Sequence, residues 1–214
     1  MTAPTRTDLP VDALLFDVGG VLIDIDFKRA LRHWAGSSGL DEALLAQRFS
    51  PDRDYEAHER GELASTGFFS ALRGSLQVEL SDAQLLAGWN AIFIGPFAGV
   101  ATLLQQLGTQ LPIYLFSNTN RAHYAFWGSE YPDLLAPVRQ VFCSHEIGLR
   151  KPSVQAYAHV IAQIGLPAQR IAFFDDSALN VDGARQAGLQ AFVTAGPDAL
   201  RQALTRDLGL SLAR

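Results

Sequence analysis

Residues 13–22 read ALLFDVGGVL, four apolar residues running straight into an aspartate and two glycines. Ala13–Phe16 shows no polar/apolar alternation, the pattern of a strand covered on both faces in a parallel sheet. The same kind of short run recurs at Ile113–Phe116, Val141–Phe142, Ile171–Phe174 and Ala191–Val193. Between the later runs, Val100, Leu103, Leu104 and Leu107 repeat at helical spacing, as do Val154, Tyr157, Ala158, Ile161 and Ile164. Gly108 and Gly165 stand where those helices would stop. Strand–helix alternation of this kind predicts an α/β fold, a Rossmann-like three-layer sandwich with a mostly parallel central sheet.

The spacing is uneven. Residues 17–112 separate the first two runs, whereas the later ones follow closely, and the intervening stretch reads as all-helical. Ser81 and Gln84 form a capping-box signature ahead of Leu85, Leu86, Trp89 and Phe93. Leu31 with Trp34, Leu44 with Leu45, and Phe68, Phe69 and Leu72 suggest three or four more short helices, punctuated by Pro51 and Gly61. The expected division is a catalytic core at 1–27 and 96–214, with a small helical bundle inserted as a cap at 28–95. Trp34, Trp89 and Trp127 are expected in the core.

Composition narrows the class. At 214 residues with 48% hydrophobic content, the chain can bury one core plus a modest insertion. A net charge of −5 without a basic run gives no electrostatic footprint for nucleic acid. Cys143 is the single cysteine, which excludes an intrachain disulfide and a cysteine zinc cluster. The N-terminal MTAPTRTDLP lacks the apolar stretch of a signal peptide, and no run reaches the ~20 residues of a membrane span. The expectation is a cytoplasmic protein, monomer or homodimer, acting on a small molecule.

In an open parallel sheet, ligands bind beyond the carboxyl ends of the strands. The first run ends in Asp17, the second in Ser117-Asn118-Thr119-Asn120, the fourth in Asp175-Asp176-Ser177, and Lys151 precedes the helix before the fourth. Each has a bland reading taken alone: a turn aspartate, helix N-caps (the stronger reading for Ser177), a solvated lysine. Gathered at one edge they suit phosphoryl transfer. A carboxylate nucleophile, Asp17, needs a cation to approach an anion, and hard oxygen donors such as Asp17 and Asp176 suit Mg²⁺. Ser117, the following amides and Lys151 would grip the phosphate.

FDVGGVL, LFSNTN, RKPSVQAY and FFDDSALNVDGA resemble, in order, the four motifs of the haloacid dehalogenase superfamily, in its form with a helical cap after the first strand. Within it, LIDIDF, HERGE, SNTNR, EYP and LRKP resemble the branch of bacterial α-D-glucose-1-phosphate phosphatases. The resemblance implies Asp17 as nucleophile, the Gly19 carbonyl as a metal ligand, and Ser117, Asn118 and Lys151 as phosphate contacts. It implies Asp176 as the metal ligand of the acidic pair, Asp175 as its support in the metal site, and Asn180 acting through water or hydrogen bonds.

One departure matters. Many phosphatases of this superfamily carry an acid two residues after the nucleophile, where this chain has Gly19. General acid help is typically worth ~10²–10⁴-fold. An anomeric oxygen needs less of it, which points to a sugar 1-phosphate such as α-D-glucose 1-phosphate. His58, Glu59, Asp24 or Asp26 are alternative proton donors, and HERGE at 58–62 is the expected substrate-facing turn, with His58 as a substrate contact and Gly61 allowing a tight bend. Two other readings stand beside this one. A 2-haloacid dehalogenase would use the same scaffold without a metal, and a phosphate-ligand binding protein would have lost turnover at Gly19.

Overall fold

The computed structural model describes residues 10–212; the first nine residues, read above for a signal peptide, and the last two lie outside that range. Among the described residues, β1 (Ala13–Phe16) lies at the centre of a five-stranded sheet. β4 (Ile113–Ser117) and β5 (Val138–Cys143) lie on one side of it, β6 (Ile171–Asp175) and β7 (Gln190–Val193) on the other. Every pairing in this sheet is parallel. The chain reverses its direction of growth across β1, so the carboxyl ends of β4, β1 and β6 meet at a switch point.

Alternate residues of β1 serve opposite faces. Ala13 and Leu15 pack with Tyr157 and Val160 of α10 (Val154–Ile164) and with Val181 and Ala184 of α11 (Ala178–Gln186). Leu14 and Phe16 pack with Leu103, Leu104 and Leu107 of α6 (Val100–Gly108) and with Leu200 of α12 (Pro197–Gln202). The expected sandwich is therefore present. The third run was shorter in the sequence than in the fold, because β5 is an edge strand whose Arg139 and Gln140 face solvent.

The insertion differs from expectation at its base. β2 (Ile23–Ile25) and β3 (Phe93–Pro96) form an antiparallel ribbon that frames five helices: α1 (Phe27–Ser38), α2 (Glu42–Arg48), α3 (Arg53–Glu59), α4 (Ser65–Leu76) and α5 (Asp82–Asn90). Phe93, grouped above with the last helix, belongs to this ribbon; α5 ends at Asn90. Strands of three and four residues are too short to show a period. The Ser81–Gln84 capping box forms as read. Trp34 and Trp89 stack with centroids 6.3 Å apart, and Trp34 Nε1 donates to the Leu85 carbonyl at 3.1 Å. No helix among the described residues is long and apolar enough to cross a membrane.

Gly88 is where α5 meets α1: a Cβ there would collide with the Trp34 indole ring. Gly88→Ala is therefore expected to destabilise by about 1–3 kcal/mol through overpacking. Gly36→Ala, in α1 with open space around it, is expected to stabilise by about 0.5 kcal/mol. Urea unfolding of the two variants checks the opposite signs.

Candidate active site

Asp17 follows directly on β1, and the next strand fixes it there, since its N–H donates to the Phe174 carbonyl at 2.8 Å. Asp17 Oδ1 accepts the Val18 N–H at 2.7 Å and lies 2.8 Å from Lys151 Nζ. That ammonium is fully buried and lies 2.7 Å from Asp175 Oδ2 on its other side. It also sits 5.3 Å from the Phe116 ring centroid and 5.4 Å from that of Phe173. Burial pulls the Lys151 pKa down, but the two carboxylates more than offset it, and the net direction is upward. The lysine is positively charged.

The loop carrying Lys151 is clamped. Asn118 Oδ1 accepts the Lys151 N–H and Asn118 Nδ2 donates to the Lys151 carbonyl, both at 2.9 Å. Ser144 holds the neighbouring turn: its Oγ accepts the Thr119 N–H at 2.8 Å and donates to the Thr119 carbonyl at 2.9 Å. Asp175 is saturated, accepting from Ser177 N–H at 2.9 Å and from Asn180 Nδ2 at 2.9 and 3.1 Å. Ser177 caps α11, as read, through the Asn180 N–H.

Asp17, Asp175 and Asp176 each present an oxygen within 4.8 Å of the others. Three hard carboxylate donors in partial burial fit a divalent cation, and the donor set is that of Mg²⁺ rather than a softer metal. Burial, followed by the Asp175 charge, raises the Asp176 pKa, and the Lys151 charge pulls it the other way. Gly20, at φ 77°, leaves space for this group; a Cβ there would strike the Asp176 carboxylate. Asp176 is the exposed member of the three and lines the cleft with Asp17, whereas Asp175 lies beneath, turned toward Lys151.

Of the residues singled out in the sequence, Asp17, Gly19, Ser117, Asn118, Lys151 and Asp176 line one cleft of about 230 Å³, together with Asn180. His58 does not. Its ring stacks on Phe68 with centroids 4.3 Å apart, its Nε2 meets Ser65 Oγ at 3.2 Å, and it faces a separate pocket beside Arg121 and His145. Burial pushes its pKa down to about 4, so it is neutral. Glu59, one residue on, lines the cleft instead, because a single helical step turns the side chain by ~100°. The bend at Gly61 is real (φ 72°), and a Cβ there would strike the His145 carbonyl. Asp24 and Asp26 do not line the cleft; Asp26 caps α1 and pairs with Arg32 at 3.1 Å.

Tyr55, Arg150, Thr119 and His123 also line the cleft and were not singled out. Burial drives the His123 pKa down to about 3. With Nε2 3.0 Å from the Trp89 carbonyl and Nδ1 3.2 Å from Asn120 Nδ2, it is a neutral ring assigned as donating to Trp89 and accepting from Asn120. Arg150 had a sequence signal in its place beside Lys151, and Thr119 in the polar run that ends the second strand; Tyr55 and His123 had none.

A carboxylate at the end of β1, an acidic pair at the end of β6 and a lysine in contact with both Asp17 and Asp175 thus meet at one edge of the sheet. The family model for haloacid dehalogenase-like hydrolase matches residues 11–188, and the chain belongs to that family. It is similar to D-ribitol-5-phosphate phosphatase of Bacteroides thetaiotaomicron, 22% identical over 197 residues, covering 90% of this chain and 96% of that one. It is also 25% identical over 203 residues to drimenol cyclase drtB of Aspergillus calidoustus, covering 93% of this chain but spanning only 37% of that protein. Among solved structures, a haloacid dehalogenase family enzyme of Bacteroides thetaiotaomicron in complex with magnesium and inorganic phosphate superposes with a TM-score of 0.77 at 25% identity. That match covers 88% of this chain and 96% of the other.

Burial raises the Asp17 pKa to about 7; Lys151 pulls the other way and Asp175 adds to the rise. A proton therefore competes with Mg²⁺ for this carboxylate below pH ~7 and ceases to do so above it. Titration calorimetry is expected to show Mg²⁺ binding about tenfold tighter at pH 8 than at pH 6, with proton release at pH 6. Equal affinity at the two values would contradict the raised pKa of Asp17.

Proposed function

We propose that this protein is a Mg²⁺-dependent phosphatase that hydrolyses a small phosphorylated metabolite through an aspartyl-phosphate on Asp17, with the helices between Phe27 and Asn90 acting as its cap. The supporting observation is the Lys151 ammonium held within 2.8 Å of Asp17 Oδ1 and 2.7 Å of Asp175 Oδ2 at the floor of the cleft. It fixes the nucleophile and supplies positive charge where a phosphoryl group would dock.

Val18 N–H and Lys151 Nζ hold the Asp17 carboxylate through Oδ1, and the carboxylate is the attacking group. As its bond to phosphorus forms, the ester P–O bond breaks and the leaving oxygen takes the electron pair. Ser117, Asn118 and Lys151 hold the non-bridging oxygens. Water then attacks the acyl phosphate, releasing inorganic phosphate and restoring the carboxylate. Mg²⁺, held by Asp17, Asp176 and the Gly19 carbonyl with Asp175 in support, supplies the charge that lets two anions approach.

Leaving-group chemistry narrows the substrate. Gly19 offers no acid; a Cβ there would come 2.9 Å from Ile25 Cδ1, the movable end of a side chain on the ribbon at the base of the insertion. A sugar 1-phosphate such as α-D-glucose 1-phosphate leaves through its anomeric oxygen and relies least on a proton donor. The ribitol-5-phosphate specificity of one relative favours a second reading, a pentitol phosphate, whose primary alcohol would need more help. A haloacid dehalogenase has no use for the Asp176 metal position. A pure binding protein would not need a nucleophile pre-set against Lys151.

Assays with p-nitrophenyl phosphate and a panel of sugar phosphates test this directly. Activity is expected to require Mg²⁺, vanish in EDTA, and fall by roughly 10³-fold or more in kcat for Asp17→Asn. Hexose 1-phosphates are expected to exceed hexose 6-phosphates by about 10²-fold in kcat/KM. Equal rates would remove the leaving-group preference, activity undiminished by chelation would remove the Mg²⁺ requirement, and inertness toward every ester would remove the phosphatase reading.

A further inference from the structure

Opposite the phosphate end, the cleft is lined by a charged group that the chemistry above does not use. Glu59, at the end of α3, is 5% exposed and accepts Arg150 Nε at 2.7 Å through Oε2. The Tyr55 hydroxyl, one helical turn earlier, lies beside the same carboxylate and interacts with it. Arg150 reaches further to Glu56 Oε1 at 3.1 Å. Burial raises the Glu59 pKa, while Arg150, Tyr55 and Lys151 pull it back.

A carboxylate here is unfavourable twice over. It loses its water, and it adds negative charge to a cleft that already holds Asp17 and Asp176 and must accept a phosphate. Arg150 and Tyr55 together offset the first penalty but not the second. An apolar wall of the same volume would avoid both.

Resting on the phosphatase reading, we propose that the Tyr55–Glu59–Arg150 group binds hydroxyl groups of a polyhydroxylated substrate and rejects phosphate esters with apolar tails. A carboxylate beside a guanidinium offers acceptors and donors a few ångströms apart, matching a vicinal diol. An alkyl or terpenyl chain pushed against the same group would strip its remaining water and return no hydrogen bond. Sites built to hydrogen-bond a hydroxyl discriminate far more strongly than apolar pockets discriminate by size. Ile25, Phe27 and Phe93 on the ribbon side of the cleft would meet the C–H faces of such a substrate.

The test separates hydroxyl recognition from leaving-group chemistry by comparing two esters of primary alcohols, D-glucitol 6-phosphate and n-hexyl phosphate, in Mg²⁺. The readout is the ratio of their kcat/KM values. The wild-type ratio is expected to favour the glucitol ester by about 10²-fold or more. In Glu59→Gln it is expected to fall by about 10- to 100-fold, chiefly through a higher KM for the glucitol ester. Tyr55→Phe, which removes one hydroxyl and leaves the ion pair, is expected to lower the ratio in the same direction and carries the test should Glu59→Gln melt early. A ratio unchanged in both variants, whatever happens to the separate rates, overturns the inference and makes the group a structural tie between α3 and the Arg150 loop. Inertness of the wild type toward both esters and p-nitrophenyl phosphate overturns instead the phosphatase reading beneath it.

Discussion

Lys151 brings a full positive charge to the bottom of the cleft, between Asp17 at 2.8 Å and Asp175 at 2.7 Å. A lone ammonium buried there would be driven to lose its proton, and two carboxylates brought so close without it would repel. Each therefore depends on the other two. They come from the end of β1, the loop before α10 and the end of β6, so one three-centre ion pair constrains three separate pieces of chain. Phe116 and Phe173, the last apolar side chains on their shared face, shield it from water and present ring faces to the cation. Asn118 closes the arrangement by clamping the lysine's own peptide groups.

The same centre explains how the two ends of the cleft stay in register. Arg150 is the residue before Lys151, and its ion pair with Glu59 reaches from the phosphate loop to α3 of the insertion. On the other side, His123 at the start of α7 (Arg121–Glu130) meets the Trp89 carbonyl of α5 at 3.0 Å and stacks on that ring at 4.5 Å. The helical insertion is thus tied at two places to loops that follow strands of the sheet. Contact with the site passes through buried polar groups whose partners are fixed, which makes the positions of Glu59 and His123 as definite as those of the sheet residues.

Much of this was legible in the sequence because it lay in strands of non-alternating apolar residues with polar ends. Ala13–Phe16 into Asp17, and Ile171–Phe174 into Asp175-Asp176, announce both the element and the point where a functional side chain emerges. Asn118 was placed as a phosphate contact by resemblance; that it also clamps Lys151 depends on a contact 33 residues away, which no local pattern encodes. The β2–β3 ribbon was hidden for a similar reason, being three and four residues paired across the whole insertion. His58 was misplaced because HERGE gives a turn but not its rotation: one step along α3 separates a ring stacked on Phe68 from a carboxylate in the cleft.

Gly19 ties the missed ribbon to the chemistry. Two residues past the nucleophile the chain has no side chain, and the nearest atoms to the space above it belong to Ile25 of β2. The ribbon thus sets hydrocarbon beside this position, and the neighbouring acids have partners of their own. Asp26 is spent on capping α1, and Glu59 is held by Arg150. On the proposed phosphatase reading, selectivity would fall to the leaving group itself and to the hydroxyls it carries toward Glu59 and Arg150. An ester that departs easily and is rich in hydroxyls would satisfy both, which joins the missing acid and the buried glutamate–arginine pair in one proposal rather than two.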